Sequence, residues 1–212
     1  FTLCKISIHY CSTLVDGPAA FEPPGKYANE KANTINNKIL VTYASRVGST
    51  AGVAEAIGKT LSESGEQVDV LPMQEVKDLT PYRAVVAGSA IQNKQWLPEA
   101  MQFLQAHQSE LARKPFAAFL VCMTLAMRNG ETYRPFVAEF LARVRALVRP
   151  VSEGYFSGTL DIRKVPSFSD RLKFRLSVLF GVWAEGDHRD WNAIRLWAES
   201  LAPLLHIKGN KP

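Results

Sequence analysis

From Lys38 onward the apolar positions switch repeatedly between two spacings. Residues 38–42 carry the unbroken run Ile39-Leu40-Val41, as a strand buried on both faces does. Residues 51–64 change to a helical period, with Val53, Ile57 and Leu61 on one stripe and Gly65 where a C-cap glycine belongs. Residues 67–71 alternate through Val68 and Val70, and residues 82–87, with Ala84-Val85-Val86-Ala87, read as a central strand. Pro98 opens a predicted helix carrying Met101, Leu104 and Leu111, and residues 115–121 give a fourth strand. Residues 134–148 form a helix with Phe136, Phe140, Val144 and Leu147 on one side, and residues 151–160 a fifth strand. Asp190 caps a last helix whose buried side holds Ile194, Trp197, Leu201 and Leu204. Strands alternating with helices predict an α/β fold: a doubly wound, five-stranded parallel sheet in the order 2-1-3-4-5, with helices on both faces. Right-handed crossovers place the ligand beyond the carboxyl ends of strands one and three.

The loop at that position, residues 42–50, reads TYASRVGST. A strand that stops, a loop of small hydroxylated residues and a helix starting on it make an anion site, because unpaired N–H groups and the positive end of the dipole face outward. Gly48 is followed by Ser49 and Thr50 with no lysine, which disfavours nucleotide triphosphate hydrolysis. One glycine instead of three disfavours a dinucleotide. The hydroxyls of Thr42, Ser45, Ser49 and Thr50, with Arg46, suit a single terminal phosphate. The plain alternative is that Ser49 and Thr50 cap the helix.

Composition adds few restrictions. The 212 residues, 47% hydrophobic and 21% charged, suit one globular domain. A formal charge of +5 favours anionic partners, but no basic cluster interleaved with aromatics points to nucleic acid. Cys4, Cys11 and Cys122 lack metal-ligand spacing, so no metal site is expected and a reducing compartment fits. No apolar run reaches the roughly 18 residues that cross a bilayer. Residues 1–37, rich in proline and glycine from Asp16 on, read as an N-terminal extension of unknown role. Residues 38–205 are the folded domain and 206–212 a tail.

Two further segments carry chemistry. Residues 88–96, reading GSAIQNKQW, form a loop that the strand order sets beside the first. Small residues at Gly88, Ser89 and Ala90 let backbone approach a flat ring, and Ile91 and Trp96 are placed to cover a ring face. For Trp96 the alternative is packing against the Pro98 helix. Arg46 and Lys94 are either stabilisers of an anionic reduced ring or ordinary solvated charges. His107, His188 and His206 offer no convincing general acid or base. Residues 161–189 then connect the fifth strand to the last helix over far more than the usual two to six residues. They hold a candidate helix, 170–183, with Arg171, Lys173 and Arg175 in its first half. Its second half is apolar through Leu176, Val178, Leu179, Phe180, Val182 and Trp183. A basic-then-apolar helix suits a bilayer interface or an anionic substrate, and equally a sheet edge, a redox partner or a homodimer contact.

Taken together, TYASRVGST, GSAIQNKQW, the segment FAAFLVCMTLAMR and the terminal EGDHRDW resemble the flavodoxin-domain family over residues 38–205. The resemblance implies FMN, its phosphate held by Ser45, Arg46, Val47, Gly48, Ser49 and Thr50. The ring would lie against Ser89, Ala90, Ile91, Gln92 and Asn93 and against the loop opened by Cys122, Met123 and Thr124. It also implies an FMN-dependent oxidoreductase, with oxidation of protoporphyrinogen IX by a quinone as one activity of the family, in the cytoplasm and peripheral to the inner face of the membrane. The alternative is an electron carrier docking on a partner reductase or oxidase. The positive charge favours the enzyme, because many such carriers are strongly acidic.

Overall fold

In the computed structural model, residues 37–164 and 167–206 are described. The elements in chain order are β1 (Lys38–Ala44), α1 (Ser49–Glu63), β2 (Val68–Pro72), β3 (Tyr82–Gln92), β4 (Gln95–Trp96), α2 (Pro98–Ala106), α3 (Gln108–Leu111) and β5 (Phe116–Val121). They continue with α4 (Arg134–Ala138), α5 (Ala142–Leu147), β6 (Ser152–Phe156), β7 (Thr159–Leu160), α6 (Phe168–Leu179), β8 (Gly186–Asp187) and α7 (Trp191–Leu205). Five parallel strands pair in the order β2-β1-β3-β5-β6. Counting principal strands alone, that is the predicted 2-1-3-4-5.

Strand alternation decides what each face covers. Ile39, Val41, Ala84, Val86 and Phe119 point to one side and pack with Val53, Ile57 and Leu61 of α1 and with Ile194, Ala198 and Leu201 of α7. Leu40, Val85, Ala87, Phe116 and Leu120 point to the other and meet Phe103 and Leu104 of α2, Val137 of α4 and Val144 of α5. Gly65, at φ 90°, stands just past α1 as the C-cap pattern requires. Asp190 Oδ1 accepts from the Ala193 N–H at 2.9 Å and caps α7. The buried stripe of α7 is Ile194, Ala198, Leu201 and Leu205, while Trp197 and Leu204 are half-buried.

Four elements differ from expectation. β3 runs through the residues expected as a loop, because β1 and β5 continue alongside it: Ala44 pairs Ser89 and Ala90 pairs Val121. Its end folds back as a hairpin, Ile91 opposite Trp96 and Gln92 opposite Gln95, around Asn93 and Lys94 at φ 51° and 61°. A two-residue hairpin turn of the I′ type needs both central residues in that left-handed region. The helix expected to reach Leu111 breaks at His107, where φ is −108°, so Leu111 belongs to α3. Residues 139–141 form a 3₁₀ turn between α4 and α5; Phe140 and Val144 are buried as expected, joined by Val137 and Leu141, while Phe136 is exposed and Leu147 half-buried. The fifth strand divides: β6 ends at Phe156, and β7 leaves the sheet to pair antiparallel with β8.

The candidate helix 170–183 is α6, ending at Leu179, with Gly181 beyond it at φ 69°. The N-terminal extension up to residue 36, with Cys4 and Cys11, and residues 207–212 of the tail lie outside the described residues. Among the described residues no helix is long and apolar enough to cross a membrane.

Candidate functional site

The loop after β1 closes on itself. Gly48, at φ 88°, is the N-cap residue of α1, and no side chain caps the helix, so neither Ser49 nor Thr50 does. The Ser45 Oγ accepts from the Gly48 N–H at 3.1 Å. The first helical bond joins the Gly52 N–H to the Gly48 carbonyl at 3.1 Å, which by helix geometry leaves the N–H groups of Ser49, Thr50 and Ala51 directed past the helix end. Thr50 is fully buried, as is Thr42, and neither hydroxyl has a hydrogen-bond partner among the described residues. An unpaired buried hydroxyl costs about 1–3 kcal/mol. An uncapped helix N-terminus with an orphaned hydroxyl in its first turn fits a phosphate monoester.

Arg46 is engaged elsewhere. Its guanidinium meets Glu99 of α2 in a two-pronged pair, 3.0 Å from Nη1 to Oε1 and 3.2 Å from Nη2 to Oε2. Dipoles of the loop and helix, more than a free cation, therefore face an anion here. Val47 is exposed at the tip. On the β2 side of the loop lies a cavity of about 280 Å³ lined by Tyr43, Ser45, Gly48, Met73 and Glu99 among others. Burial, with Glu55 and Glu75 nearby, raises the Tyr43 phenol above its ordinary value, so it stays neutral.

The second wall is the hairpin. Ser89 is fully buried; its Oγ accepts from the Leu97 N–H at 3.0 Å and donates to the Ala90 carbonyl at 2.8 Å, fastening the hairpin base. Ala90 and Ile91 are half-buried, and Gln92 and Asn93 are exposed. Trp96 is 3% exposed and sits in the core, its Nε1 unpartnered, so packing and not ring stacking is its role. Lys94 Nζ stands 5.4 Å from the centre of the Phe136 ring. Gly88 is small for Phe119: an added Cβ would lie 2.0 Å from that ring's Cζ. Beside the hairpin, Cys122 is buried and its thiol donates to the Thr124 Oγ1 at 3.4 Å, while Met123 and Thr124 are half-buried.

A third wall escaped the sequence reading. The Thr159 N–H donates to the Ser49 Oγ at 2.9 Å, and that hydroxyl donates in turn to the Thr159 Oγ1 at 3.4 Å. A Cβ on Gly158 would lie 3.1 Å from the Ser49 Oγ and 3.5 Å from the Met123 Sδ, so this glycine sits where the first loop and the Cys122 loop converge. Arg189 pairs with Asp187 at 2.7 Å, lies over Trp191 at 4.2 Å and holds its Nη1 against Gly52 in the first two turns of α1. Hydrogen bonds from Arg189 hold the Asp187 carboxyl below its ordinary value. The small polar run Ser157-Gly158-Thr159, breaking a strand pattern, was the available signal.

Of the described histidines, His107 is paired with Glu110 at 3.2 Å and His206 with Glu66 at 2.5 Å, both away from these walls, while His188 stands beside the third wall, its N–H donating to the Gly158 carbonyl at 3.1 Å and its ring Nε2 2.7 Å from the Ala184 carbonyl. Among the described residues no cluster of three His, Cys, Asp or Glu stands ready for a metal ion.

A doubly wound parallel sheet with an uncapped helix terminus after β1, at the carboxyl edge shared with the β3–β4 hairpin, has the arrangement of a flavodoxin-type domain. The family model described as the flavodoxin domain matches residues 40–182, and the chain belongs to that family, whose cofactor is FMN. Among curated proteins it is similar to a protoporphyrinogen IX dehydrogenase [quinone] of Leishmania major, 27% identical over 177 residues that cover 79% of this chain and 75% of the other. Solved structures similar to it include oxidised flavodoxin 2 of Bacillus cereus, at 24% identity and TM-score 0.45, covering 68% of this chain and 98% of that one. Another is a short-chain flavodoxin associated with a bacterial microcompartment, at 15% identity and TM-score 0.49, covering 79% and 97%.

Proposed function

We propose that this chain is an FMN-dependent dehydrogenase that oxidises protoporphyrinogen IX and passes the electrons to a quinone. The similarity to the Leishmania major dehydrogenase across three quarters of both chains is the observation that carries the reading. Ser45, Val47, Gly48, Ser49 and Thr50 surround the phosphate, with Arg46 held at the rim by Glu99. Ala90, Ile91, Gln92 and Asn93, with Met123 and Thr124, flank the ring, and Ser89 and Cys122 brace those segments from behind. FMN, when bound, supplies the electron-accepting ring; the chain's part is to bind it, orient it and leave one ring face open to a reductant. In this reading the side chains contribute positioning more than proton transfer, which suffices for hydride chemistry.

The test is anaerobic mixing of FMN-loaded protein with protoporphyrinogen IX, followed by a quinone. Bleaching of the flavin band by the tetrapyrrole and its return on adding quinone are expected. Bleaching by a protein reductase alone would make the chain an electron carrier and overturn the proposal.

A further inference from the structure

Arg189 sets a guanidinium beside a helix end that is already positive. The N-terminus of α1 carries the positive half of the dipole, with no acidic residue in its first turn and no side-chain cap. Arg189, between β8 and α7, lies over the fourth residue of that helix: a Cβ on Gly52 would meet its Nη1 at 2.4 Å. Cβ positions tilt toward a helix's N-terminus, so this nitrogen flanks the open end of α1. Ser49 lies three residues back on the same face, where its Oγ receives the Thr159 N–H. The arginine is held firmly. Its Nε and Nη2 donate to the two Asp187 carboxylate oxygens at 2.8 and 2.7 Å, and its backbone N–H donates to the same carboxylate at 3.1 Å. Trp191 lies under the guanidinium at 4.2 Å. The neighbouring His188 is tied to the third wall, its N–H donating to the Gly158 carbonyl and its carbonyl accepting from the Ser157 hydroxyl. Of the three guanidinium nitrogens only Nη1 has no hydrogen-bond partner among the described residues.

We propose that Arg189 is the cation of the FMN phosphate site: Asp187 fixes its fork, and the unpaired Nη1 brings positive charge to the phosphate at the end of α1. A phosphate monoester carries about 1.5 to 2 negative charges at neutral pH, more than helix and loop dipoles alone offset. Arg46 is poorly placed to supply the rest, because Glu99 takes both of its terminal nitrogens. Asp187 takes Nε and one terminal nitrogen of Arg189 and leaves the other. The buried, unpartnered Thr50 hydroxyl marks the same helix end as an anion site independently. Without an anion there, a cation against a positive helix end is unfavourable; with one, both act together. Gly52 acquires a reason as well, since any side chain at that position would push Nη1 off the helix end. The inference rests on the FMN reading of the loop.

Titrating the full chain, freed of flavin, with FMN and with riboflavin tests it, because riboflavin lacks the phosphate and the ratio of the two dissociation constants measures what the phosphate contributes. Wild-type protein should prefer FMN; equal affinities would overturn the FMN reading and this inference with it. Given that preference, Arg189→Gln should lower the ratio about tenfold, weakening FMN more than riboflavin. Gly52→Ala keeps the arginine and its Asp187 partner, adds a better helix former and displaces Nη1, so it should lower the ratio in the same direction without lowering Tm. A ratio that either variant leaves at its wild-type value, or a parallel loss of both flavins, would show that Arg189 only braces the fold and would overturn the assignment.

Discussion

Thr50 shows at the scale of one residue how a binding site differs from a core. Its hydroxyl is fully buried, unpartnered, and in the first turn of an uncapped helix. Thr50→Val keeps the shape and removes the orphan, so the apoprotein should melt no lower than wild type while FMN affinity, read by fluorescence titration, falls about tenfold or more. Glu99 predicts the opposite sign. Releasing Arg46 by Glu99→Gln should tighten FMN up to about fivefold, the scale of an exposed pair, whereas Arg46→Ala should weaken it less than Thr50→Val does. Unchanged affinity on Glu99→Gln would mean that Arg46 does not feel the phosphate. The hydroxyl-rich loop was legible in the chain because residue type and spacing state its chemistry. The engagement of Arg46 by Glu99 was not, since 53 residues separate the partners and nothing local marks the pair. Gly88 carries a constraint that the chain does not announce: a Cβ there would run into Phe119 on the neighbouring strand, 31 residues away in sequence.

Elements were read best where burial on both faces leaves a continuous apolar run, as in β1, β3 and β5, and worst where backbone pairing overrides composition. The polar tail of β3 and its hairpin look like a loop in sequence. They are strand because β1 and β5 supply partners and because Asn93 and Lys94 accept left-handed backbone. Where β7 leaves β6, a long-range contact joins Thr159 to Ser49. Ser49→Ala removes the acceptor of the Thr159 N–H, so hydrogen exchange at that amide should accelerate at least tenfold while amides of β5 keep their protection. Equal rates in variant and wild type would show that the bond does not hold β7 in place.

For the whole molecule, two carboxylate clamps tie distant segments together and predict an acid limit. Arg83 donates to the carbonyls of Asn37 at 3.1 Å and Leu205 at 2.7 Å and pairs with Glu66, tying the start of β1 to the end of α7. Burial raises the Glu66 carboxyl, but Arg83 and then His206 outweigh it and hold it below its ordinary value. Hydrogen bonds from Arg145 at 2.7 and 2.8 Å hold Glu153 low as well, against burial; burial and then Glu153 push the Tyr155 phenol up to about 12. Both carboxyls titrate lower folded than unfolded. Their contribution is complete above the unfolded value of about 4.3 and is lost as pH falls through the lower folded values. Melting temperature should therefore drop steeply on acidification below about pH 4.5, and Glu66→Gln with Glu153→Gln should flatten that slope while lowering Tm at neutral pH. A variant slope as steep as wild type would place the acid limit elsewhere.

The single hydroxyl of Ser49 belongs both to the phosphate loop and to the ribbon that carries α6. If seating the cofactor at Ser49 also orders the ribbon, the two form one equilibrium, and coupling of that kind is symmetric. Whatever factor by which FMN stiffens the β7–β8 ribbon and sharpens its grip on a partner, that partner must return to FMN affinity undiminished.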